Sequence, residues 1–341
     1  MKKILSLIAS GLFLSGMLLT SCEGPAGPEG AEGPQGPAGE NGIATCGQCH
    51  DLSTDLYAKV IQYEVSGHAV NGNFARNAWD CSICHTHEGY VDNLATGLDS
   101  SVAALENPTP VNCRTCHKIH ETYTSEDWTL RTVEPVTFFN GVASADLGKG
   151  NQCASCHHSR AFTYPVTGGA DITVTSTRYG PHHGPQSDVL NANCFFLFTG
   201  SASYPTSNPH LNVANSCVDC HMAVGYGNQN GGHTFSMLRT DGVTLNTKGC
   251  VSCHTSTTFA ADVNTYKEEV AVLHDSLGVL LQGLGYLNAT LGTVSGTYSP
   301  EVAGAMLNFK TIEEDKSEGV HNPYYVKAVL INTIEKVNAG L

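Results

Sequence analysis

Cys217-Val218-Asp219-Cys220-His221 sets two thiols three positions apart and puts a histidine directly after the second. The chain repeats this arrangement at Cys46-Gly-Gln-Cys49-His50, Cys81-Ser-Ile-Cys84-His85, Cys113-Arg-Thr-Cys116-His117, Cys153-Ala-Ser-Cys156-His157 and Cys250-Val-Ser-Cys253-His254. Two intervening residues let one turn of backbone present both sulfurs to a single edge of a flat ring, with the histidine beneath it. Covalent haem c makes this demand: two thioethers and an axial imidazole from one short segment. Six motifs therefore imply six haems. Zinc sites, disulfides and redox dithiols also use Cys-x-x-Cys. Zinc pairs such motifs two by two, and none of the three requires a histidine in the fifth place every time. Twelve of the 14 cysteines lie in this pattern.

The other side of each iron is decided by the remaining histidines. Subtracting the six motif residues His50, His85, His117, His157, His221 and His254 from 16 leaves ten, enough for bis-histidine ligation throughout. Methionine is scarce past the N-terminus, at Met222, Met237 and Met306, and methionine ligation raises haem potential. The histidine supply therefore points to low-potential haems. His158 follows a motif histidine directly, points away from that iron and is placed to serve a neighbouring one; His87 and His120 stand similarly. His68 follows a short helical stretch, Asp55 to Ser66, and is expected as a ligand. His274 lies within an apolar helical pattern and reads as a packed side chain. Cys194, in Cys194-Phe-Phe-Leu-Phe, reads as a buried free thiol.

Working outward, Lys2 and Lys3 precede an apolar stretch from Ile4 to Leu19, the pattern of a secretory signal over residues 1–21. Leu19-Thr20-Ser21-Cys22 resembles a bacterial lipobox, in which Cys22 is lipidated and becomes the first residue. Residues 24 to 41 place glycine at every third position with frequent proline. That is the collagen pattern, but so short a run reads better as an extended tether, roughly 55 Å long at about 3.1 Å per residue. Residues 22–43 thus form the anchor and tether, and 44–258 a loop-rich haem-binding body in which cofactors take the place of regular structure. Residues 259–341 read as a C-terminal antiparallel helical segment. Its long amphipathic helix is expected over Asp262 to Ala289, a second opens at Ser299-Pro300-Glu301 and a third at Asn322-Pro323. The fold class is mainly α plus coil. A formal charge of −14 with 17 basic residues argues against nucleic-acid binding.

Tyr179-Gly-Pro-His182-His183-Gly-Pro-Gln186 is followed by Asn208-Pro209-His210, the Cys217 motif, Gly232-His233-Thr234-Phe235, the Cys250 motif, the long helix and Gly319-Val320-His321-Asn322-Pro323. This order resembles the C-terminal half of the multihaem c-type cytochrome superfamily of pentahaem nitrite reductase, octahaem hydroxylamine oxidoreductase and cytochrome c-554, over about residues 179 to 338. The resemblance implies that His210, His233 and His321 are distal ligands. It also places His183, or alternatively His182, near a catalytic histidine of the nitrite reductases. Those enzymes commonly hold the catalytic haem through Cys-x-x-Cys-Lys, which is absent here, so His183 reads more simply as a further iron ligand. More loosely, the whole chain resembles outer-surface multihaem lipoproteins of metal-reducing bacteria, some relatives of which polymerise into filaments.

The expected function is electron transfer outside the cytoplasm, at the periplasm or cell surface, by a lipid-anchored hexahaem cytochrome. Its expected partners are redox proteins of the envelope and an extracellular acceptor, with room for a homo-oligomer or filament. The expected cofactors are six covalent haem c groups, and the expected distal ligands are His68, His158, His183, His210, His233 and His321. The alternative is a nitrite- or hydroxylamine-type oxidoreductase with one open haem; the balance favours a carrier over an enzyme.

Overall fold

A computed structural model describes His50 and residues 54–98, 100–101, 103–138 and 144–341. The signal segment, Cys22, the tether, Cys46 and Cys49 lie outside the described residues. The architecture is helix and coil with two small sheets, and its first organising feature is the attachment turn. In the motifs at Cys113, Cys153 and Cys250 the histidine N–H donates to the carbonyl of the first cysteine, at 3.0, 2.9 and 2.9 Å. One helical turn therefore carries both thiols on one side and hands the histidine on at its end.

Among the described residues the α-helices are, in chain order, α1 (Thr54–Glu64), α2 (Gly67–Val70), α3 (Trp79–His85), α4 (His87–Thr96), α5 (Cys113–Cys116), α6 (Asn151–Ala154), α7 (Gln186–Leu190), α8 (Cys217–His221), α9 (Phe259–Gly283), α10 (Pro300–Asp315) and α11 (Pro323–Asn338). Strands β1 (Val136–Thr137) and β2 (Ser144–Ala145) pair antiparallel. So do β3 (Ile172–Val174) and β4 (Gly296–Tyr298), with Thr173 opposite Thr297. Local chemistry explains the short elements. The Ser66 hydroxyl accepts from Ala69 N at 3.3 Å and caps α2, which carries His68. Asn112 and Thr115 form a reciprocal capping box around the Cys113 turn.

The expected helix from 262 to 289 ends at Gly283 instead. Gly285 adopts φ +77°, its N–H bonds Gln282 O at 3.0 Å, and Tyr286 N bonds Leu281 O at 2.9 Å. This is a Schellman closure, and the left-handed residue it needs is supplied by glycine. The apolar spacing continued to Leu284, but the backbone turned first. Ser299 caps α10 by accepting from Val302 N, with Pro300 in the first turn, as its sequence predicts.

The three long helices share their core with the segment before them. Val270, Leu277, Leu281, Phe309, Val326, Val329 and Leu330 bury together with Phe195, Phe196 and Phe198. A Cβ built on Gly304 of α10 would lie 2.3 Å from Cγ of Phe196, so the ring reaches the helix backbone only because glycine stands there. Asn308 clamps the same strand of chain: Phe196 N donates to its Oδ1 at 2.8 Å, and its Nδ2 donates to Phe196 O at 2.7 Å. Cys194 is buried beside Thr311, whose hydroxyl donates to its carbonyl at 2.9 Å. Among the described residues no helix is long and apolar enough to cross a membrane.

Candidate functional site

Cysteines from all five described attachment turns, those at Cys81, Cys113, Cys153, Cys217 and Cys250, line one cavity of about 3440 Å³. Close-packed protein interiors leave few voids larger than a water, and pockets for drug-sized ligands run to roughly 300–1,000 Å³. A cavity several times that size is shaped for more than one large group. The described cysteines are all unpaired, and no group of three or more His, Cys, Asp or Glu among the described residues is gathered to hold a bare metal ion. Disulfide and zinc readings of the motifs therefore have no geometric support there.

Each motif histidine faces one other imidazole. The ring centroids lie 6.1 Å apart for His50 and His120, 6.4 Å for His85 and His182, and 6.3 Å for His117 and His233. They lie 6.1 Å apart for His157 and His68, 6.3 Å for His221 and His321, and 6.4 Å for His254 and His210. Two metal–nitrogen bonds of about 2 Å and two ring radii of about 1.1 Å add to about 6.2 Å. A pair at this spacing can hold one iron between its nitrogens. With the paired thiols beside each described motif, the donor set fits haem c.

Elements far apart in sequence make these pairs. The capped turn of α2 carries His68 to His157, the turn after α5 carries His120 to His50, and the loop between α10 and α11 carries His321 to His221. Burial pushes His68, His182 and His233 down to about 4, with the imidazoles of His157, His183 and His117 adding to the effect. Neutral rings keep the lone pair that a metal takes.

The outward nitrogens differ from ring to ring. Nδ1 of His117 faces the Trp128 carbonyl at 2.7 Å, that of His157 faces Gln186 Oε1 at 3.1 Å, and that of His221 faces the Phe235 carbonyl at 2.9 Å. Nδ1 of His321 meets a carboxylate, Asp315 Oδ1, at 2.6 Å. Burial pulls His321 down, but Asp315 outweighs it and the net direction is up. Nδ1 of His182 is buried with no hydrogen-bond partner.

His158 and His183, expected from the sequence as ligands, stand outside the six pairs. His158 Nδ1 bonds the Ser159 carbonyl at 2.9 Å, and His183 Nδ1 bonds Glu314 Oε2 at 2.6 Å. The places facing His50 and His85 are taken by His120 and His182. His182 turns toward His85 from a left-handed backbone, φ +68°, a local choice between two adjacent histidines that composition does not reveal. His87 bonds the Thr115 hydroxyl at 3.1 Å, and His274 stacks on Phe309 at 4.2 Å while bonding its carbonyl, both as packed side chains. Asp315 was not among the expected site residues; its signal was an acid six positions ahead of a histidine.

The attachment turns also abut. Cys156 Sγ lies 3.7 Å from the carbonyl of Ile83 in the Cys81 turn, and a Cβ built on Gly150, just ahead of the Cys153 turn, would lie 3.3 Å from Cys217 Sγ. Phe235 packs its ring 5.1 Å from His68 and 5.9 Å from His233 while its carbonyl faces His221. One residue thus touches three pairs.

No family model matches the chain, and no curated protein matches it. Its fold is similar to a solved structure described as the outer cell wall cytochrome OcwA, with TM-score 0.53 and 19% identity over 82% of this chain and 50% of that one. The chain thus spans about half the length of that structure. An undecahaem cytochrome from the S-layer of Carboxydothermus ferrireducens is also similar, with TM-score 0.46 and 18% identity over 76% of this chain and 38% of that one. The first likeness shows the fold, which this chain shares with part of that cytochrome.

Proposed function

We propose that the chain is an extracytoplasmic hexahaem c-type cytochrome that relays electrons at the cell envelope or surface. The carrying observation is the one-to-one pairing of all six motif histidines with an imidazole at 6.1 to 6.4 Å. The motif cysteines hold the haem edges. His120, His182, His233, His68, His321 and His210 serve as distal ligands to the motifs beginning at Cys46, Cys81, Cys113, Cys153, Cys217 and Cys250. Haem iron supplies the one-electron chemistry; this chain supplies ligands, placement and shielding from water.

A nitrite- or hydroxylamine-type reaction needs one motif histidine opposite an open coordination position. Every motif histidine has an imidazole partner, which favours the carrier. The solved structure of similar fold is described as a cell-wall cytochrome, in keeping with a place outside the cytoplasm. Lipidation at Cys22 and the glycine-rich tether attach the protein to a membrane and hold the haem body off its surface. The partners are envelope redox proteins and an acceptor outside the cell.

Intact mass of the purified mature protein, read with spin-state spectra of the same sample, tests this reading. Six haems, all low-spin, are expected. A count below six, or a carbon-monoxide-binding high-spin fraction after reduction, overturns it.

A further inference from the structure

We infer that Asp315 makes the site between His221 and His321 the most reducing of the six. The inference rests on the ligand pairing proposed above. Asp315 ends α10 with its side chain 1% exposed, and its ion-pair partner among the described residues is His321. Oδ1 accepts from His321 Nδ1 at 2.6 Å, and Oδ2 accepts from the Ser317 hydroxyl. The Ser317 oxygen in turn accepts from His321 N at 3.2 Å, which fixes the ring against the carboxylate. A buried carboxylate at a helix C-terminus stands against the helix dipole as well as against desolvation. What compensates it here is an imidazole.

An axial imidazole that donates Nδ1–H to a carboxylate becomes a stronger donor and carries partial negative charge, which favours ferric over ferrous iron. In two other pairs the Nδ1 atoms of His117 and His157 face neutral oxygens, as does that of His221 across the same site. The approach of Cys217 to Gly150 and of Cys156 to the Ile83 carbonyl sets the three corresponding turns side by side. From the Cys217 site to the Cys153 site the partner of Nδ1 changes from the Asp315 carboxylate to the Gln186 amide, so electrons move downhill in that direction.

The experiment is a potentiometric titration of the haem-loaded protein and two variants, with haem count and spin state recorded on each. Asp315→Asn keeps the shape and removes the charge. The most negative couple is expected to rise by at least a tenfold change in its reduction equilibrium, about 59 mV for one electron, with the other couples unmoved. Ser317→Ala removes the hydroxyl that draws charge from the carboxylate, so the same couple is expected to fall. A disturbance that is merely structural moves both variants in one direction. The inference is overturned if both shift alike, if the most negative couple is unmoved in Asp315→Asn, or if a different couple responds. Should Asp315→Asn fail to load haem, the sign in Ser317→Ala decides alone: a fall supports the inference, and a rise or no change overturns it. A wild-type count below six, or a high-spin fraction, strikes the ligand pairing itself and is read separately from the potentials.

Discussion

The adjacent histidines at 182 and 183 offer the sharpest test of the ligand set. His182 faces His85 with ring centroids 6.4 Å apart, whereas His183 is 60% exposed and bonds Glu314. Alanine at 182 removes one of the six distal imidazoles proposed above, so one sixth of the iron is expected to become high-spin and to bind carbon monoxide once reduced. Alanine at 183 breaks a half-exposed pair with Glu314, a contact of the kind worth about 0–1 kcal/mol, and is expected to leave every haem low-spin. The assay is a carbon-monoxide difference spectrum of the reduced protein, normalised to haem content, for both variants. Equal responses, or a response from His183→Ala alone, refute the assignment. The same logic extends to His158→Ala, which is expected to be silent, and to His120→Ala, which is expected to open one sixth of the iron.

Two further expectations concern the scaffold. Asn308→Ala leaves Phe196 N–H and C=O buried without partners, at about 1–3 kcal/mol each, so denaturant unfolding is expected to show a loss of about 2–6 kcal/mol with all haems retained; a loss below 1 kcal/mol contradicts the clamp. Asp241 accepts from the Thr244 hydroxyl and from Thr244 and Val243 N–H groups, which lowers its pKa from 3.8 to about 2. A depressed folded pKa contributes stability that is present above 3.8 and lost as pH falls through about 2. Asp241→Asn is therefore expected to lower the melting temperature at neutral pH and to match wild type at about pH 2, and an equal deficit at both pH values runs against this.

What could be read directly from the chain was local. A motif of five residues carries its own turn, and the Ser299 cap with the first-turn prolines Pro300 and Pro323 announces α10 and α11 without tertiary help. The end of α9 was hidden because apolar spacing ran on to Leu284, while one glycine at 285 decided the backbone. The distal partners were the hardest part. His233 and His117 meet only because the chain path through long loops brings them together, and no periodicity encodes that path. The choice of His182 over His183 rests on a single φ, and Asp315 matters only because a loop returns His321 to it.

The paired histidines have a consequence for how the chain holds its shape. Residues 54–258 bury fewer apolar side chains for their length than residues 259–341 do. Under the proposed ligand set each iron is a cross-link joining segments remote in sequence. The intervals interlock: the span from His50 to His120 contains His68 and His117, whose partners His157 and His233 lie outside it. If a coordinate bond constrains the unfolded chain as a disulfide does, each such closure withdraws about 4–5 kcal/mol of conformational freedom. Small secreted domains staple themselves with disulfides for the same reason. In the proposed ligand set iron takes that role, and the loop-rich half is then expected to become a defined structure only as the haems are attached.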